Sequence, residues 1–589
     1  MFPNTLFADE NFDISTTAIY EILPNNTAKV TKEISILNKK DFIFSPNYNI
    51  SFGFEDIKNI QVFNTFGSIP FNYEKKGGNV NLNINFNNPP KGINSVNSFT
   101  ISFITNELVE KKGEVIEVDI PGISDPQSFI RYDTKIIVPE SYPEISIIKP
   151  NLVEKKNGLV FSKDETKGAG IVLILGQEQY YDLTLDYNIV NPNLFPITTE
   201  IALPIDTNYQ KVLIESLSEK PTKVRIDNDG NWLFQYYLLP REKKTITAKL
   251  KVKQKSTPGN EKISESEIKK YTKEDAFWEV SDKEIKKIAQ ELKTPEKIYG
   301  FVVNSLTYDY EKVSSGDERL GAKGSLNNPK NAVCLEYSDL LVALLRSGGI
   351  PARSIEGFAY TRNTKLRPVA LSDDILHAWV QFYDFEKETW IMVDPTWGST
   401  TRGIDYFSSL DLDHIAFVIK GEESNYPIPA GGYKFENSSK DIKVEFSSKN
   451  EFNIKNSLEI SDSFPKFSLA GVPISGFVTI TNSGNNFINS KNVAITNLST
   501  GQIKEYEVKN LPPYGSESFL VTFDTSFLTN SNHQIKIQVD SGEKMANVRV
   551  SFIPDLNFIL LGGGIFVAAG IIAWFAVKTG RIYLQRRKK

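Results

Sequence analysis

The chain has 589 residues, 40% hydrophobic and 24% charged, with a formal net charge of −5. That is the make-up of a globular protein of about three to five domains, and so small a negative charge excludes a partner nucleic acid held by a basic surface. One cysteine excludes an intrachain disulfide, so the lone thiol is either buried and inert or chemically used.

Residues 1–8 carry neither a basic start nor a long apolar run. Leu6-Phe7-Ala8 ahead of Asp9-Glu10 reads either as the remnant of a signal peptide that starts upstream or as a frayed terminus. From 9 to 255 the pattern is strand after strand. Asn79-Val80-Asn81-Leu82-Asn83-Ile84-Asn85-Phe86 alternates strictly, which puts its apolar side chains on one face of a sheet. Val224-Arg225-Ile226 and Trp232-Leu233-Phe234 flank an Asp229-Gly230 turn. A break near Gly122–Pro126 divides the region into two expected β-sandwiches, 9–124 and 125–255, with no catalytic constellation in either. Residues 256–272, polar and charged, read as a linker.

Helical signals follow, opening an expected catalytic domain at 273–435. Ser281 with Glu284 reads as a capping box before Ile285, Ile288 and Leu292, and Thr294-Pro295 as a cap with proline at the first helical position. Between Tyr308 and Pro329 the chain becomes polar and carries Gly316, Gly321 and Gly324, which suits either a loop bordering the cleft or an ordinary surface loop. Leu340, Leu341, Leu344 and Leu345 then recur at helical spacing behind Cys334, and Gly348-Gly349 with Pro351 supplies the stop. Cys334 therefore falls in a first helical turn, where free backbone N–H groups and the positive end of the helix dipole favour a thiolate.

Leu376–Tyr383 and Thr389–Thr396 are rich in aromatic and β-branched residues and are separated by a short polar break, the pattern of a hairpin. A loop of about four residues that sets Tyr383 against Glu388 puts His377 opposite Asp394 on one face. A cysteine, a base and an orienting carboxylate make a nucleophilic triad.

Four motifs in order, Ala332-Val333-Cys334-Leu335-Glu336-Tyr337, Gly349-Ile350-Pro351-Ala352-Arg353, Leu376-His377-Ala378-Trp379 and Val393-Asp394-Pro395-Thr396-Trp397, resemble the transglutaminase-like superfamily of microbial proteins. The resemblance implies a papain-like α+β core with a catalytic Cys334–His377–Asp394 triad. It departs at Ala332, where the family usually has glycine. The oxyanion donors expected are the Cys334 backbone N–H and a second group, from a neighbouring loop or Trp397. His414 reads as a hydrogen-bonded structural histidine, His533 as a turn residue and Arg353 as an ion-pair partner, and three scattered histidines with one cysteine do not make zinc spacing, so neither metal nor cofactor is expected.

Residues 436–554, with Ser475–Asn485 as the clearest stretch, resemble stalk-type immunoglobulin-like domains of bacterial surface proteins. Leu556 to Val577 is an apolar run of about 22 residues, enough to cross a bilayer, which gives an expected transmembrane helix at 555–578. The basic tail 579–589 should remain cytoplasmic, making this a single-pass membrane protein with its bulk extracytoplasmic and with membrane lipid as one partner. The whole reading is multidomain: an α+β papain-like core flanked by all-β immunoglobulin-like sandwiches, with one C-terminal transmembrane helix. Its expected function is a cell-surface cysteine enzyme acting on amide bonds of a protein, peptide or cell-envelope polymer through a thioester, by hydrolysis or acyl transfer. The alternative is a non-catalytic surface binding or adhesion protein on the same scaffold.

Overall fold

The computed structural model describes residues 11–151, 159–315, 318–369, 376–401, 403–435, 440–527 and 530–552. The chain divides into two compact units, residues 1–453 and 454–589.

Alternating burial builds the first part of unit 1. Phe12–Ile22 and Ala28–Asn38 pair antiparallel in a seven-stranded sheet, and Asn47–Phe52, Asn79–Asn85 and Phe71–Lys76 form a three-stranded sheet that shares its core. The strand at 79–85 buries Val80, Leu82 and Ile84, as its alternation predicts. Chain beyond the Gly122–Pro126 break returns to this same sandwich, because Arg131–Ile137 pairs parallel with Phe12–Ile22. Parallel pairing requires a long crossover, so a break in local pattern does not locate the end of the layer.

A second pair of sheets follows. Glu178–Val190, Lys243–Lys255 and Gln210–Leu217 form one, and Ile197–Leu203, Trp232–Leu238 and Lys223–Ile226 the other. Gly230, at φ 93°, makes the turn between the last two. Ile442–Phe446 joins the first of these sheets by pairing with Glu178–Val190, so that strand belongs to unit 1.

The stretch expected as a linker contains a helix, Glu265–Lys270, capped by Ser264. Beyond it come helices α1 (Lys283–Leu292), α2 (Pro295–Ser305), α3 (Gly321–Asn327) and α4 (Cys334–Ser347). The cap of α1 is Asp282, which accepts from Glu284 N and Ile285 N; Ser281 instead donates its N–H to Glu274. Thr294 caps α2 with Pro295 at its start, as read from the sequence. After α4 the chain lays down β1 (Ala352–Ala359), β2 (His377–Asp384) and β3 (Thr389–Val393), then helix α5 (Pro395–Thr400) and β4 (His414–Lys420). The antiparallel order is β3-β2-β1-β4. Leu340, Leu341, Leu344 and Leu345 of α4 share a buried core with Val380, Phe382, Ile391 and Val393 of the sheet.

Unit 2 is a two-sheet sandwich. Leu458–Asp462, Ile474–Asn482 and Ser516–Phe523 make three strands, and a five-stranded sheet runs from Phe467–Leu469 to Gln502–Val508. Their inward rows, among them Val478, Ile480, Ile495 and Ile537, form one core.

The expected fold class is corrected on two points. The described chain is mostly β-sheet, arranged as several sandwiches, because its apolar residues recur mainly at period two and helices occupy little outside 265–347. Among the described residues no helix is long and apolar enough to cross a membrane, so the single C-terminal transmembrane helix is not carried forward. The expected span at 555–578, the tail at 579–589 and the segment 1–8 lie outside the described residues.

Candidate active site

Cys334 is the first residue of α4 and is 7% exposed. Helical geometry leaves the N–H groups of that first turn without intrahelical acceptors. The residue two places on organises the surroundings: the fully buried Glu336 carboxylate accepts from Val333 N, Leu320 N and Lys312 Nζ, each at 3.0 Å. One side chain thus fixes both the helix start and the segment beside the thiol.

His377 opens β2 and Asp394 follows β3 as the cap of α5. His377 Nε2 lies 2.9 Å from Asp394 Oδ2, and both side chains are fully buried. The pair forms through a register other than the expected one. Asp384 faces Thr389 and Tyr383 faces Trp390, so the ladder is shifted by two residues from a Tyr383–Glu388 pairing. A shift of two preserves the face on which every side chain stands, which is why histidine and aspartate still meet, now diagonally.

Asp394 Oδ1 accepts from Thr396 N at 2.8 Å and Trp397 N at 3.1 Å, the capping bonds of α5. Tyr299 Oη donates to the Asp394 carbonyl at 2.9 Å. His414 reaches the same carboxylate oxygen as His377, with Nε2 3.4 Å from Asp394 Oδ2 and Nδ1 2.6 Å from Asp411 Oδ1. The sequence reading of His414 as hydrogen-bonded is right, and one of its two partners is the same carboxylate that holds His377. The Asp411–His414 spacing was the available signal; the link to Asp394 is tertiary.

These contacts set the charges. Burial pulls the His377 imidazolium down, but the Asp394 charge and hydrogen bond, with a further contribution from Cys334, raise it to about 9. Burial likewise opposes the charge on Asp394, yet His377 and His414 hold its carboxyl down to about 2. His414 is lifted to about 9 by Asp411 and Asp394 against its own burial. With Nε2 turned to Asp394, Nδ1 of His377 is left for the Cys334 side chain, which contributes to the raised imidazolium. The ring is held between Trp397, 5.2 Å away, and Trp379, 6.1 Å away, both near parallel to it.

Trp397 does not offer a free indole donor, because its Nε1–H already bonds the Pro368 carbonyl at 3.0 Å. Tyr308 is a group the sequence reading missed. Its backbone pairs in parallel with Ala332, two residues before the cysteine, and its buried hydroxyl has no hydrogen-bond partner. Burial, then the charge of Cys334, push this phenol far above its usual range, so it remains an O–H donor. No local sequence signal marks it, because the bridge to Ala332 spans the segment containing α3.

Arg353 bonds Gln381 through Nε at 2.7 Å and stacks on Trp390, a structural placement. His533, expected in a turn, lies instead on the strand Ser531–Val539 of unit 2 and bonds Asn497 and Ser531. His377, Asp394 and His414 offer donor atoms within 4.8 Å of one another, a set that could hold a metal ion; their 2.9 and 3.4 Å contacts are those of hydrogen bonds.

Residues 280–395 match the Transglutaminase-like superfamily. The uncharacterized protein YebA of Bacillus subtilis (strain 168) is 27% identical over 246 residues, which cover 36% of this chain and only 29% of that protein. Among solved structures, a Cytophaga hutchinsonii protein described as a "Putative Cysteine Protease" is 18% identical with a TM-score of 0.33, covering 46% of this chain and 92% of that one. The CARDB domain of the PF1109 protein from Pyrococcus furiosus is 16% identical with a TM-score of 0.15, covering 16% and 89%.

Proposed function

We propose that this protein, whose residues 280–395 match the transglutaminase-like superfamily, is a cysteine enzyme that transfers acyl groups from protein or peptide amides through a thioester. Cys334 Sγ attacks the amide carbonyl carbon. The thiol proton resides on His377 Nδ1 and is given to the leaving amine as the C–N bond breaks. Water or a second amine then attacks the thioester, its proton passes to Nδ1, and the thiol is restored. Asp394 orients His377 throughout. The developing oxyanion takes the Cys334 backbone N–H and the Tyr308 hydroxyl.

The observation that carries this reading is the arrangement around His377: Nε2 held on a buried carboxylate, and the ring close enough to the helix-start Cys334 for that side chain to help raise the imidazolium. A retained scaffold would gain nothing from that buried charge pair, which is costly to bury unless its members are matched.

The test is acylation by p-nitrophenyl acetate alongside alkylation by iodoacetamide. Wild type should give a burst of nitrophenolate. Cys334→Ala and His377→Ala should abolish it, a loss of about ten-thousand-fold, and Asp394→Asn should leave a measurable remainder. Tyr308→Phe should slow acylation about a hundredfold while leaving alkylation, which forms no oxyanion, unchanged. A wild-type burst no larger than that of Cys334→Ala would favour the non-catalytic binding protein.

A further inference from the structure

The strand Ala28–Asn38 directs Ala28, Val30, Lys32, Ile34 and Ile36 to one buried face. Lys32 is therefore a cation in an apolar row, 9% exposed, and no carboxylate among the described residues lies within ion-pair distance of it. Its Nζ donates to Tyr132 Oη at 2.8 Å and sits 5.3 Å from the centre of the Phe52 ring. Thr16 pairs directly with Tyr132 across the sheet, and Ala18, two residues further along that strand, pairs with Lys32. The Thr16 hydroxyl is buried and has no hydrogen-bond partner. Three donors thus gather on one patch of sheet.

A cavity of about 380 Å³ opens over this patch, walled by Tyr48, Phe52, Phe54 and Phe129. Such a volume is that of a small-molecule site. A buried ammonium with neither carboxylate nor full hydrogen bonding costs free energy that an anion would recover. Among the described residues Lys32 is the one cation lining this cavity, and the exposed Asp125, bonded by the Ser128 hydroxyl, repels a second anionic group. The ligand has one negative end and an apolar body.

We propose that this cavity binds a small organic carboxylate, its oxygens against Lys32 Nζ, Tyr132 Oη and Thr16 Oγ1 and its apolar body against Tyr48, Phe52 and Phe54. The carboxylate is either that of a free acid or the C-terminus of a peptide. The site is separate from Cys334 and independent of its chemistry.

The test is calorimetric titration of the full chain with 3-phenylpropionate and its neutral amide, and with a phenylalanine-terminated tripeptide carrying a free or an amidated C-terminus. Wild type should bind at least one acid about tenfold or more tightly than its amide, since a charge-assisted hydrogen bond is lost with the charge. Preference for the tripeptide acid identifies a chain terminus as ligand, and preference for 3-phenylpropionate a free acid. Lys32→Met should erase the distinction between acid and amide, and Thr16→Val, which keeps the cation and the side-chain shape, should reduce it. Cys334→Ala should bind as wild type does. Equal affinity for acid and amide, or no binding of either acid, overturns the proposal from wild-type measurements alone, whether or not the Lys32 variant folds.

Discussion

Asp394 accepts four hydrogen bonds at its two carboxylate oxygens, two from backbone and two from histidines. An acceptor so fully engaged turns little, and it presents His377 in one orientation with Nδ1 turned away from the carboxylate. The raised imidazolium makes a prediction with a definite sign. Departure of an amine needs a proton from His377, so amide acylation should hold level below and fall as pH rises through about 9. An ester with a nitrophenolate leaving group needs no proton and should not fall there; parallel profiles for the two substrates would remove His377 from the acid role. Stability follows the same groups. Both histidines are raised from 6.5, so their contribution is complete below 6.5 and lost as pH rises through about 9. Asp394 is depressed from 3.8, so its contribution is present above 3.8 and lost as pH falls through about 2. The alkaline decline in melting temperature should be weaker in His414→Asn than in wild type.

The start of α4 depends on Glu336, which is not itself part of the chemistry. Its carboxylate holds the N–H of Val333, the N–H of Leu320 and the Lys312 ammonium in one buried cluster. Glu336→Ala takes a buried carboxylate from that ammonium and leaves two backbone donors without their acceptor, and should cost about 3 kcal/mol or more of unfolding free energy in urea. Glu336→Gln should cost less, because the amide oxygen still accepts; equal losses would show that the cap contributes nothing beyond charge. The helix itself was legible from Leu340, Leu341, Leu344 and Leu345 with the Gly348-Gly349 stop, since periodicity and terminators are local. The hairpin was legible in kind and not in register. Asp384 Oδ1 accepts from Glu386 N at 2.9 Å and Lys387 N at 3.1 Å, and Glu388 takes a positive φ of 49°. That turn begins one residue later than the polar break suggests, so the ladder shifts by two. The site survived the error because sheet faces repeat with period two, whereas a slip of one residue would have separated His377 from Asp394.

At the scale of unit 1, the outer strand β4 is completed by side chains of the neighbouring sandwich. Gln210 donates Nε2–H to the Ala416 carbonyl and accepts from Ala416 N, each at 2.9 Å. Asn231 does the same for Ile419, and Gln254 bonds the His414 carbonyl. An edge strand is a liability when bare, so these amides stand in for a missing strand. None of this was legible in the sequence, where Gln210, Asn231 and Gln254 are ordinary polar residues of strands and turns and their partners lie about two hundred residues away. The first sandwich reaches the same strand through Lys112, whose Nζ lies 2.6 Å from Asp413 Oδ2 and also pairs with Glu117, all three buried. Asp413 adjoins His414, so the ion pair leads within two residues to the carboxylate that holds His377. Burial raises Asp413 to about 7, with Asp411 and Glu117 adding to the rise and Lys112 opposing it. Lys112→Met removes the opposing cation and leaves Asp413 buried beside two other acids. It should destabilise the unit by about 3 kcal/mol near pH 8, where an uncompensated carboxylate must be kept charged or protonated at a cost. The loss should shrink at about pH 5.5, where Asp413 is neutral in either protein. Urea unfolding of wild type and variant at the two pH values measures it. A loss independent of pH would mean that Lys112 acts through Glu117, which is ionised at both pH values, or through packing, and not through Asp413, while a large, pH-dependent loss accompanied by slower Cys334 acylation under folded conditions would make the sandwich part of the machinery that aligns His377.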